Sequence, residues 1–199
     1  MHKLVTLPMF PLNIVLLPGE TKVLHIFEAR YRELVTDCLA NQANFGIPYI
    51  KGDQLADHGI EVSIIRIMQD SPEGEMDIEI KAIKPFKILK YTSVLKPKLY
   101  GAAYTEDYED DTTSNRYKLF RSFKKLIKAA KGKEIPVETL INVSVYKVAQ
   151  LLDLTNEEKL QLLAFDVIKD KEDFLIAKIK LYMHMVKLEK EIKNNFRLN

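Results

Sequence analysis

The stretch Phe10 to Leu34, "FPLNIVLLPGETKVLHIFEARYREL", decides how the rest of the chain is read. Its first half is apolar but fenced by Pro11 and Pro18, which suit strand ends and edges rather than a helix. Pro18-Gly19 is a turn signal, and the compact run Val23 to Phe27 after it reads as a strand. Ala29, Leu34, Val35, Cys38 and Leu39 then recur at three-to-four spacing, which predicts a helix. Glu28 falls in its first turn, where a carboxylate complements the helix dipole. A strand feeding directly into a helix, this early, announces a mixed architecture.

Reading outward, Leu4 to Leu7 and Ile14 to Leu17 are further short strands by the same proline logic. Phe45 to Ile50 and Ile60 to Met68 are rich in β-branched residues. "EMDIEIKAI" alternates, with Met76, Ile78, Ile80 and Ala82 inward and Asp77, Glu79 and Lys81 outward; Ser71 to Gly74 is its turn. "FKIL" and "LYGAAYTEDY" supply two more strands. Many short strands and one early helix predict a small closed or half-closed β-barrel over residues 1–110.

The acidic, polar segment Glu106 to Asn115 reads as a linker, and residues 111–199 read as a helical bundle. Ser114 is the expected N-cap of a helix with the stripe Tyr117, Phe120, Phe123, Ile127 and Ala130, ended by Gly132. A short helix is expected from about Val143 to Leu152. Thr155 and Glu158 make a capping box that opens a helix through Leu160, Leu163 and Val167. The last and longest helix begins at Asp170 or Asp173, with the stripe Leu181, Met185, Leu188, Ile192 and Phe196. The fold class is therefore α+β.

With 29% charged residues and a net charge of +2, the overall balance favours neither nucleic acid nor acidic lipid, so any such affinity must come from local clustering. The one cysteine, Cys38, permits no intrachain disulfide and reads as a small core residue in a chain suited to a reducing, cytoplasmic setting. Apolar runs fall short of the ~20 residues of a membrane span. The N-terminus has no small-x-small cleavage site, so it is not read as a signal peptide.

Chemistry is sparse. There is no phosphate-binding glycine loop, the four histidines are scattered, and neither cofactor nor metal is expected. Ser144 and Lys147 in "SVYK" fit a Ser-x-x-Lys spacing that places both on one helix face, but the companion motifs of such acyl-transfer enzymes are missing. The favoured reading is a helix cap and a solvated lysine. Lys118, Arg121, Lys125 and Lys128 share a helix face and are the candidate RNA contacts; the favoured reading of them is the solvated face of an amphipathic helix. His25, inside an apolar strand, is expected to be buried and hydrogen-bonded.

Taken in order, Leu7, Pro8, Phe10, Pro11, Leu12, Pro18, Gly19, Leu24, His25, Ile26, Phe27, Glu28, Arg30 and Tyr31 resemble the opening of the Lon protease N-terminal domain family. The resemblance continues more loosely through "FGIPYI", "EMDIEIKAIKPFKIL" and "VAQLLDLTNEEKLQLLAFDVIKDKEDFL". Ala29 stands where the family has proline, and Lys84-Pro85-Phe86 replaces an Arg-Arg-Phe type of element. The resemblance implies a PUA-like barrel followed by a helical bundle. The ATPase and Ser-Lys protease modules of full Lon have no counterpart in these 199 residues, so it implies a stand-alone, non-enzymatic binding module. Its expected partner is an unfolded or extended polypeptide or another protein, taken by strand addition or in a barrel–bundle cleft near Phe27, Arg30 and Tyr31. RNA is the alternative partner; a membrane is not expected, and the oligomeric state stays open.

Overall fold

The computed structural model describes residues 4–71, 74–107, 117–132 and 144–197. The elements are β1 (Leu4–Met9), β2 (Thr21–Ile26), α1 (Ala29–Asn41), β3 (Phe45–Lys51), β4 (Gln54–Asp70), β5 (Met76–Thr92) and β6 (Gly101–Asp107). They continue with α2 (Tyr117–Lys131), α3 (Val145–Gln150), α4 (Asn156–Ala164) and α5 (Ile168–Arg197). The fold is α+β. Ser114, Val143 and the linker beyond Asp107 lie outside the described residues, as does the Phe196 side chain; Glu106 and Asp107 still belong to β6.

The sheet runs β2-β5-β4-β3-β1-β6, and an added β5–β6 pairing closes β5, β4, β3, β1 and β6 into a barrel. Strand β5 makes this possible by its length. Its first half pairs with β2, its second half with β6, and β4 accompanies both. "FKIL" is thus not a separate strand. Pro85 does not interrupt β5, because opposite Ile60 it forfeits a single donor while Lys84 and Phe86 keep the register. The inward alternation holds: Ile78, Ile80 and Ala82 are buried.

The barrel interior is filled by Phe86, packed with Leu7, Met9 and Ala103. Two glycines leave it room. A Cβ at Gly46 would stand 2.9 Å from the Phe86 ring, and one at Gly59 only 2.6 Å. In so small a barrel, bare backbone is what makes room for an aromatic ring in the interior.

The run Ile14 to Leu17 is not a strand, although Val15, Leu16 and Leu17 are buried. Side chains satisfy its backbone instead of a ladder. Asn156 Oδ1 accepts from the Val15 N–H at 3.1 Å, and Glu20 Oε2 from the Leu17 N–H at 2.7 Å.

The elements group into two compact units. One holds β1 to β6 with α1 and α4; the other holds α2, α3 and α5. Helix α4 follows two helices of the second unit in sequence, yet belongs with the sheet. Its capping box forms reciprocally: the Glu158 N–H donates to Thr155 Oγ1 and the Thr155 N–H to Glu158 Oε2. Its first turn is then tied to the sheet unit through Asn156, through Glu157 to Lys51 at 2.7 Å, and through Lys159 to Glu20 at 3.1 Å. The helix ends at Ala164 rather than continuing through Val167, which is half exposed, and α5 starts at Ile168 rather than Asp170.

In the second unit the buried stripe of α2 is Leu119, Phe120, Phe123 and Leu126, rotated from the expected one; Tyr117 is exposed. Helix α5 buries Leu175 and Ile179 near its start, whereas Leu181, Met185, Leu188 and Ile192 are about half exposed. The Lys171 ammonium is buried and donates to the Tyr146 hydroxyl at 2.7 Å.

Helix α1 clasps the loop before β6 through Asp37, which accepts from the Tyr100 hydroxyl and pairs with Lys98 at 2.6 Å. The bonds from Lys98 and Tyr100 hold the Asp37 carboxyl below its ordinary value. A carboxylate depressed in the folded state adds stability that is complete above the unfolded pKa, about 3.9, and disappears as the pH falls through the folded value. Denaturation midpoints measured from about pH 5 downward should therefore drop less steeply for Asp37→Asn than for the parent protein.

Candidate functional site

The residues proposed for binding lie where β2 ends and α1 begins. Glu28 is the extended N-cap residue of α1 and lends no side-chain cap. Its carboxylate instead reaches Arg30, at 2.7 Å from one terminal nitrogen and 2.9 Å from Nε. This fixes the guanidinium over the Tyr31 ring, 4.7 Å from its centroid. Burial works against the Arg30 charge, but the Glu28 bond outweighs it and holds the pKa above the usual value.

Tyr31 is turned inward. Its ring is buried and stacks on Phe10 at a centroid distance of 3.9 Å. Burial pushes its phenol up, against the opposing effect of the Arg30 cation. Tyr91, from the far end of β5, lies near enough for its phenol to feel the same cation. Arg30 and Tyr31 are therefore neighbours with different roles: the ring is a platform, and the half-exposed guanidinium is the surface group.

Phe27 is the opposite case. It is 58% exposed, a large apolar ring without a core to enter. It stacks on His25 at 5.8 Å. His25 is not buried, contrary to the expectation from its apolar neighbours. Successive side chains on β2 alternate, so burying Leu24 and Ile26 turns Val23, His25 and Phe27 outward. There Nδ1 of His25 meets Asp77 at 2.8 Å, and Nε2 stands 3.6 Å from Glu75. Glu79 follows on the same face and accepts from Arg66 Nε at 2.7 Å.

This outer face, carried by β2, β5 and β4, was only half legible in the sequence. Phe27 and Arg30 stood in the opening stretch. Asp77 was readable as outward from its alternation, but nothing local pairs it with His25. Tyr91 had no local signal, since only the barrel's closure brings it near α1.

The other sequence candidates lie in the second unit. Lys118, Arg121, Lys125 and Lys128 are all exposed along one face of α2. Ser144 does not meet the Lys147 amine. Its hydroxyl accepts from the Lys147 backbone N–H at 3.1 Å as the cap of α3, and Lys147 Nζ reaches Gln150 at 3.3 Å. Cys38 is buried in the core, and burial pushes its thiol up to about 11, away from reactivity at neutral pH. Among the described residues no helix is long and apolar enough to cross a membrane.

The family model described as the ATP-dependent protease La (LON) substrate-binding domain matches residues 6–180. The structure is similar to that of a Lon N-terminal domain protein from Xanthomonas campestris, with 26% identity and a TM-score of 0.67, covering 87% of this chain and 98% of that one. It shares its fold with the N-terminal domain of Mycobacterium avium complex Lon protease, at 17% identity and a TM-score of 0.67, with 88% of this chain and 98% of that one covered. The comparison with curated proteins gave no match. The matched span runs from β1 into α5 and takes in the barrel, α1 and the stapled α4: the chain belongs to the Lon substrate-binding domain family.

Proposed function

We propose that this chain is a non-enzymatic recognition module that binds unfolded or extended polypeptide through its sheet unit, with Phe27 and Arg30 as contacts and Tyr31 as the ring that positions Arg30. The observation that carries this reading is Phe27. A phenylalanine more than half exposed, three residues before a guanidinium anchored by Glu28, puts apolar area and a hydrogen-bonding cation at one strand-to-helix junction. Membership of a substrate-binding family supports a protein client. The buried, unreactive Cys38 suits a cytoplasmic setting.

The test is an array of peptides tiled from unfolded client proteins, probed with the intact chain and with Phe27→Asp. Burying a phenylalanine is worth about 1.5–3 kcal/mol, so the variant should bind about tenfold more weakly or worse. An array without any bound peptide overturns the reading.

The exposed cations Lys118, Arg121, Lys125 and Lys128 favour a second reading, RNA binding by α2. A pull-down with and without RNase separates the two. An RNase-sensitive capture, with a salt slope reduced by Lys125→Ala and Lys128→Ala, would assign function to α2 instead.

A further inference from the structure

Several stretches of strand in the sheet unit have an unpaired side among the described residues, and two of them lie on the same β2-β5-β4 end of the sheet: β2, which pairs only with β5, and the second half of β4, which β3 leaves at Val62. They differ in a way that selects one. On β4 the register with β5 shifts between Ile64 and Arg66 and again between Ile67 and Gln69, so Ile65 and Met68 are extra residues. Bulges of this kind twist an edge away from regular pairing and protect it against a further strand. Strand β2 has no such guard. It pairs without a shift from Thr21↔Lys81 to Ile26↔Met76.

The ladder also fixes which groups of β2 are available. Ala82 donates to the Glu20 carbonyl at 2.9 Å. Hydrogen-bonded pairs alternate along an antiparallel ladder, so Lys22, Leu24 and Ile26 bond to β5, and the N–H and C=O of Thr21, Val23 and His25 point to the open side. The side chains of Val23, His25 and then Phe27 stand on the exposed outer face.

That face has a charge. Around the His25 and Phe27 end lie the carboxylates Glu28, Glu75, Asp77 and Glu79, against Arg30 on Glu28, Arg32 beside Gly74 and Arg66 on Glu79, which leaves a formal excess of negative charge; Lys22 and Lys81 belong to the other end of the strand pair. We infer that the β2 edge accepts an extended basic–apolar segment as an added antiparallel strand, bonded to the backbone of Val23 and His25, with its Lys or Arg side chains over the acidic outer face and the Phe27 ring. This rests on the polypeptide-binding reading above and specifies how that surface is used. Backbone pairing supplies affinity without demanding one sequence, and the face selects the charge.

The experiment uses the intact chain and the acetylated, amidated octapeptide Lys-Val-Lys-Phe-Lys-Val-Lys-Val, with binding followed by fluorescence anisotropy of a labelled copy. N-methylation of its odd residues and of its even residues is tested separately. Only one set faces β2, so that set should weaken binding by about tenfold or more while the other changes it less than about twofold. The Glu-for-Lys peptide should bind at least about tenfold more weakly. Val23→Pro, which removes an edge donor that the β2–β5 ladder does not use, should abolish the discrimination between the two N-methylated sets; if it fails to fold, the peptides alone decide. Equal effects of both sets, with client binding intact in the array, overturn strand addition and leave polypeptide recognition standing. Equal binding of the acidic peptide overturns the charge assignment. A dimer in sedimentation that Val23→Pro dissolves would give the edge to a second copy of this chain and overturn the inference. Absence of binding both here and in the array removes the polypeptide reading as well.

Discussion

Replacing Phe86 with alanine is expected to cost about 3–5 kcal/mol of folding stability. The ring is 1% exposed and occupies the barrel centre against Leu7, Met9 and Ala103. Truncation removes its transfer energy and leaves a cavity whose walls cannot easily collapse, since they are the paired backbones of a closed sheet. For a domain stable by some 5–15 kcal/mol this is a large fraction. Urea unfolding should show a lower midpoint with an unchanged slope. A loss below about 1 kcal/mol would mean that the ring does not fill the barrel.

Gly59→Ala should be nearly as damaging, about 1–3 kcal/mol or somewhat more, for the opposite reason of overpacking. The new methyl would stand 2.6 Å from the Ile47 carbonyl oxygen, 2.6 Å from the Phe86 ring and 2.8 Å from the Pro48 Cα. At Gly46→Ala the nearest atoms to the new methyl are those of side chains, Met9 at 2.6 Å and Phe86 at 2.9 Å. The two substitutions should therefore couple differently to Phe86. In a Phe86→Leu background, the cost of Gly46→Ala should shrink markedly. That of Gly59→Ala should persist, because the Ile47 and Pro48 backbone does not move with the ring. A double-mutant cycle by urea unfolding measures both couplings. Equal relief at the two glycines would contradict this packing.

The elements that could be read from sequence are those fixed by near neighbours. The Thr155–Glu158 capping box closes within one turn of chain and formed as its spacing required. The alternation of Ile78, Ile80 and Ala82 against Asp77, Glu79 and Lys81 is a property of one extended backbone, and the strand obeys it. The α1 helix was legible from its spacing, but it begins at Ala29, so Glu28 is its N-cap residue rather than part of its first turn. The ordered match from Leu7 to Tyr31 lies within one contiguous stretch of chain, and the family resemblance it carries implies a barrel followed by helices.

Partners distant in sequence settled the rest. His25 lies in an apolar run, yet burial is decided by which face of β2 meets the core, and that depends on pairing with β5 some fifty residues away. Ile14 to Leu17 has the composition of a strand. It lacks a ladder because Asn156, arriving from α4, takes the Val15 N–H that a neighbouring strand would have used. Tyr31 and Arg30 are adjacent in sequence and separate in role only because Phe10 offers the tyrosine a ring to stack on. Sequence by itself determined the local dihedral preferences, the caps, the alternation and the family. Which face is buried, which edge stays open and which helix returns to the sheet were decided by tertiary structure, since each requires groups far apart in the chain to compete for the same backbone donors and the same core volume.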